Sequence, residues 1–168
     1  MRFTRTSKEI FEGIEIRGKP EFLFRTQESL DRLQSTSQFE LIRKHVRVIC
    51  QGRRSGMKAW ADKPTFTVGK ATWKHSDVWY AGAIAHDAYH AKLYSDAKGR
   101  NRGSEPDNNA WTGAQAEKSC LAFQRQVLLE LKADEEIIVY IDHCAQNPTY
   151  QGHATGWRSW LDYLLRWW

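Results

Sequence analysis

The sequence predicts an α+β fold, with helices packed on a short mixed or antiparallel sheet. Three observations point there. Segments suited to strands occur in the first half: Ile14 and Ile16 alternate with charges, and Thr65 to Trp73 is rich in β-formers. The second half carries apolar residues at helical intervals. A chain of 168 residues fits a single domain, residues 1–168, large enough to bury about two-thirds of its unfolded surface.

Taken in order, Ile14 and Ile16 mark a short strand, and Gly18-Lys19-Pro20 a turn. Leu30 and Leu33 sit three apart on a short helix that Thr26 could cap. Ser37-Gln38-Phe39-Glu40 has the form of a capping box, so a second helix begins there with Phe39, Ile42 and Val46 on one side. Lys44 to Gln51 suits either the end of that helix or a half-buried strand, because Val46, Val48 and Cys50 alternate with their neighbours. Gln51 to Gly56 is a loop, and Thr65 to Trp73 is read as a strand.

A helix follows from Ser76 or Asp77, either of which can cap it, through Ala81, Ala85, Ala88 and Ala91 to Tyr94. Ser95 to Asn109 is a polar loop, long enough to suggest a functional role. Helices are then expected from about Thr112 to Lys132 and from Glu135 to about Ala145. In the last segment, residues 156–168, Trp157, Trp160, Leu161, Leu164 and Trp168 recur at helical spacing. This aromatic stripe reads as core packing, with a docking face for a partner as the alternative.

The net charge of +5 is scattered rather than clustered, which describes a solvated surface and gives no sign of specific nucleic-acid binding. No stretch approaches the roughly 20 apolar residues of a membrane span, and the N-terminus lacks the apolar run of a secretory signal. Cytoplasmic residence is the expectation. Cys50, Cys120 and Cys144 have no C-x-x-C spacing and read as buried thiols, one bridge with a thiol left over being the alternative.

The chemistry centres on His86-Asp87-Ala88-Tyr89-His90. Four residues apart on a helix, two imidazoles share a face and can address one metal ion. With six histidines in the chain, such a pair arises by chance in roughly one chain in five, so spacing alone is weak. The neighbours strengthen it. An apolar helix leads into His86, and Glu117, near the start of the next helix, shares a face with Cys120, Leu121 and Gln124. Zinc at a catalytic site takes three protein ligands and keeps one position for water. Glu117 is the best candidate for the third.

Trp79 to Tyr94, followed by Ala116 to Gln124, resembles the core of the small, minigluzincin-type members of the gluzincin zinc metallopeptidases, over about residues 40–135. The resemblance implies a zincin-like fold, with Zn2+ bound by His86, His90 and Glu117, and a peptide or protein as substrate. It places Asp87 where the general base stands, and the run Thr65 to Trp73 as the edge strand that holds the substrate. Two positions depart from the pattern. The signature is H-E-x-x-H, and aspartate at position 87 stops roughly 1.5 Å short of where a glutamate would reach. Cys120 lies near where a carboxylate often orients a histidine, which leaves the groups that orient the ligands unassigned. Tyr150, His153 and His143 are candidate donors to the oxyanion of a peptidase reaction. A zincin fold that binds zinc, catalyses little and serves as a partner-binding module is the alternative.

Overall fold

The computed structural model describes residues 6–146. The chain opens with a hairpin of β1 (Ser7–Phe11) and β2 (Ile14–Gly18), paired antiparallel. Its two-residue turn, Glu12-Gly13, has φ of 46° and 83°. Positive φ at both turn positions matches the right-handed twist of the strands, and glycine adopts it without steric cost. Then come α1 (Pro20–Gln34), α2 (Phe39–His45), β3 (Val48–Gln51), β4 (Gly56–Lys58), β5 (Thr65–Val68) and α3 (Lys70–Trp73). The remaining described elements are helices: α4 (Asp77–Arg100), α5 (Asn109–Thr112), α6 (Ala114–Glu130) and α7 (Glu135–Gln146).

The sheet order is β1-β2-β3-β5-β4, with β2, β3 and β5 parallel and β1 and β4 antiparallel to their neighbours. Register places Ile16, Ile49, Phe66 and Met57 in one row across four strands. Ile16, Ile49 and Phe66 are fully buried and join Phe22, Leu30, Ile42, Ile84 and Ala88 in the main core. The neighbouring residues on the opposite face include Glu15, Arg17, Val48, Cys50, Thr65 and Thr67, a more polar set than the row facing the main core. There Lys8 and Arg17 flank Glu15 and hold its carboxyl down at about 2, the hydrogen bond from Arg17 being the stronger influence.

The central helix α4 starts where the sequence places it, with Ser76 Oγ accepting from the Trp79 N–H at 3.1 Å. Its alanines at 81, 85, 88 and 91 are buried. Small side chains there let the helix lie close to the sheet on one side and to α6 on the other. At Gly82 a Cβ would stand 2.9 Å from Leu128 Cδ2.

Several elements differ from expectation. Helix α1 begins at Pro20, whose fixed φ suits a first helical position, so Thr26 lies inside it. Its hydroxyl donates to Phe22 O at 2.7 Å and meets Tyr80 Oη at 2.9 Å. The Ser37 capping box is not formed, because the Ser37 N–H and Oγ both bond Glu130 of α6, at 2.7 and 2.9 Å. Between α2 and the sheet, the ambiguous stretch divides: helix to His45, strand from Val48. The run Thr65 to Trp73 also divides. Gly69, its N–H bonded to Ser55 Oγ at 3.0 Å, ends β5 and leads into α3. Strand β5 therefore lies inside the sheet and is not the edge strand expected; the edges are β1 and β4, and of β4 only Gly56 fell in the expected loop. Helix α4 continues to Arg100, where Gly103 at φ 87° turns the chain, so the polar loop is shorter than expected. The expected C-terminal helix over 156–168 lies outside the described residues. Cys50, Cys120 and Cys144 are not bridged to one another, and Cys120 and Cys144 are buried. Among the described residues, no helix is long and apolar enough to cross a membrane.

Candidate metal centre

Helices α4 and α6 pack face to face, and the site lies between them. His86 and His90, one turn apart on α4, bring their Nε2 atoms to 3.1 Å from each other. From α6, Glu117 meets both: Oε1 lies 3.3 Å from His86 Nε2, and Oε2 lies 3.1 Å from His90 Nε2. Cys120, one turn further along α6, completes the group. Its sulfur and the two histidine nitrogens lie within 4.8 Å of one another. His86, His90 and Cys120 together could hold a metal ion.

The far side of each imidazole is also fixed. His86 Nδ1 is 3.0 Å from Gln124 Oε1, and His90 Nδ1 is 2.6 Å from the carbonyl of Trp111 in α5. Both oxygens accept from Nδ1–H, which leaves Nε2 of each ring as the atom that faces the centre. A carbonyl or amide oxygen behind the ring is how metal-binding histidines are usually oriented. These are the orienting groups that the sequence left unassigned. Gln124 could have been found from its place on the Glu117 face. Trp111 acts through its backbone, which leaves no signal in residue type.

The spacing fits a metal. Two ligands at the zinc distance of about 2.0 to 2.1 Å, placed tetrahedrally, stand ~3.3 Å apart. The observed separations are of that size: 3.1 Å between the two Nε2 atoms, and 3.3 and 3.1 Å from them to Oε1 and Oε2 of Glu117.

Without a cation the cluster is held by protons. Burial disfavours charge on Glu117, but hydrogen bonds from His86 and His90 outweigh it and hold the carboxyl down at about 2. Burial likewise opposes the imidazolium at His90. Hydrogen bonds with Cys120 and Glu117 overcome this and push it up to about 11. A cation would replace that proton. Burial pushes the Cys120 thiol up, with His90 acting against it.

Asp87 follows His86 on α4. Burial pushes its carboxyl up and Glu117 adds to this, while His86 and His90 pull the other way. His143 stands exposed in the last turn of α7, outside the His86–His90–Glu117–Cys120 group. Tyr150 and His153 lie outside the described residues. Beyond His90 on α4, Tyr94 and Trp111 line a cavity of about 500 Å³ with Trp60, Glu105 and Pro106.

Comparison with protein-family models, curated proteins and solved structures finds no match to the chain.

Proposed function

We propose that this protein binds zinc through His86, His90 and Glu117 and uses it to hydrolyse peptide bonds. One observation carries the reading. Two Nε2 atoms and both carboxylate oxygens converge at 3.1 to 3.3 Å, with each imidazole held from behind by an oxygen.

Bound there, zinc would supply an acidified water and polarise a substrate carbonyl. The chain supplies the rest. Glu117 contributes a carboxylate, and Gln124 and the Trp111 carbonyl keep both imidazoles in the tautomer that binds. Asp87 takes a proton from the attacking water at its carboxylate. Burial, which pushes that carboxyl upward, makes it a stronger base near neutral pH, where a general base works best. An extended peptide can pair with the outer side of β4, the edge strand that packs beside α4.

A second reading, a zinc-binding partner module with little catalysis, is favoured by the short reach of Asp87. Zinc content and hydrolysis separate the readings. Purified wild-type protein should carry one equivalent of zinc, and His86→Ala and Glu117→Ala should each lose most of it. Zinc retained unchanged in His86→Ala would remove the site. With zinc present, cleavage of a broad peptide library supports the peptidase; if none appears, and Asp87→Glu creates none, the binding module replaces it.

A further inference from the structure

We infer that Cys120 is a fourth protein ligand of the metal, so that the centre is closed by two histidines, a glutamate and a cysteine. The inference rests on the metal site proposed above and concerns its resting state. A catalytic zinc site keeps one position open for water, whereas four protein donors fill a tetrahedral shell.

Geometry carries it. Each helix offers a pair of donors at the spacing that shares a face: four apart on α4, His86 and His90, and three apart on α6, Glu117 and Cys120. The two pairs face each other across the helix interface. Cys120 is completely buried, and its sulfur lies within 4.8 Å of both histidine nitrogens. Around one zinc ion, sulfur at about 2.3 Å and nitrogen at about 2.0 Å would stand ~3.5 Å apart.

Cys120 could instead be a small core residue, which is the commoner role of a buried cysteine. Its surroundings argue against that. Cys144 packs with Leu121, Leu128 and Ile141 in an apolar cluster, as a core cysteine does. Cys120 belongs to none of the apolar clusters among the described residues. Its sulfur instead lies within 4.8 Å of the His86 and His90 nitrogens, one turn from Glu117 on the same helix. On binding, the sulfur forms a bond to the metal and its proton leaves to solvent. Hydrolysis would then require the sulfur to leave the position that water must take, so the protein rests in a latent form.

Cobalt(II) reports the ligand directly, because a thiolate on cobalt gives a charge-transfer band in the near ultraviolet. Metal-free full-length protein is titrated with cobalt, alongside Cys120→Ala, Cys120→Ser and His86→Ala. The inference expects one equivalent bound by wild type with the band present. In both Cys120 variants the band should be lost while one equivalent still binds, and His86→Ala should lose binding. Circular dichroism checks that each variant is folded, and the wild-type spectrum decides the question even if one is not. Cobalt bound through His86 without the band, or a band that survives in Cys120→Ala, overturns the closed centre and leaves the zinc site standing. Wild-type protein that takes up no cobalt overturns both.

Discussion

His86 is held in place by a residue that touches no substrate in any reading of the site. Gln124 is buried and accepts from His86 Nδ1 at 3.0 Å. Replacing its amide with an apolar side chain of similar length leaves the Nδ1–H without a partner and frees the ring to turn. Loss of such an orienting group typically costs 10- to 100-fold in metal affinity. Gln124→Met should therefore weaken zinc by roughly 10- to 100-fold, measured by competition with a chromophoric chelator. An unchanged affinity would mean that the hydrogen bond does not position the ligand. At this scale the sequence was partly legible. Glu117 could be read because a carboxylate on an apolar helix face, downstream of a histidine pair, needs a reason to point inward. Cys120 was read as a departure from a familiar pattern, although the same one-turn spacing that selected Glu117 also places its sulfur in the cluster.

The distance between α4 and α6 sets whether four donors can meet at all, and Gly82 controls that distance. A Cβ at this position would come within 2.9 Å of Leu128 Cδ2 and 3.4 Å of Gln124 Nε2. Leu128 is fully buried and has little room to yield. Forcing a methyl into a packed core costs about 1–3 kcal/mol, against a helix-propensity gain of about 1 kcal/mol for glycine to alanine. Gly82→Ala should therefore lower stability by about 1 kcal/mol net and weaken metal binding as α6 is pushed away. In a Leu128→Ala background the clash disappears, and the same substitution should become neutral or stabilising. Thermal unfolding of the four proteins tests the coupling; equal effects in both backgrounds would rule out a steric cause. The helix itself was legible from Ser76 and the alanine run. Strand β4 was not, since three residues, Gly56-Met57-Lys58, carry no alternation to recognise, and their pairing with Thr67, Phe66 and Thr65 is non-local. Helix α1 was misplaced at its start because Pro20 signals a turn and a first helical residue equally well.

Helix α4 takes part in more than one apolar cluster. Tyr80, Ile84 and Ala88 belong to the core on the sheet, Ala91 and Tyr94 to a second cluster with Trp111, and Val78 and Trp79 pack against a third beneath α6 and α7. The general α+β class followed from periodicity, but this shared role did not, because a helix buried on several sides has no distinctive stripe. A metal bound between α4 and α6 is consequently bound to the centre of the fold and should stabilise the whole molecule. Free zinc at 1,000 times its Kd adds about 4 kcal/mol, or on the order of 10 °C in Tm for a domain of this size. The gain must depend on pH, because the ligands bind deprotonated. In the metal-free protein, Glu117 is held below its ordinary 4.5, so its contribution is present above that value and is lost as pH falls toward about 2. His90 is raised above its ordinary 6.5, so its contribution is complete below that value and is lost as pH rises toward about 11. This cluster thus favours the metal-free fold most between 4.5 and 6.5. Zinc reverses the preference on the alkaline side, since each step upward in pH makes the His90 proton easier to displace. The zinc-induced rise in Tm should be small near pH 5.5 and grow steadily to pH 8, and His90→Ala should abolish it. A zinc effect of the same size at both pH values would show that the metal binds somewhere other than at this protonated pair.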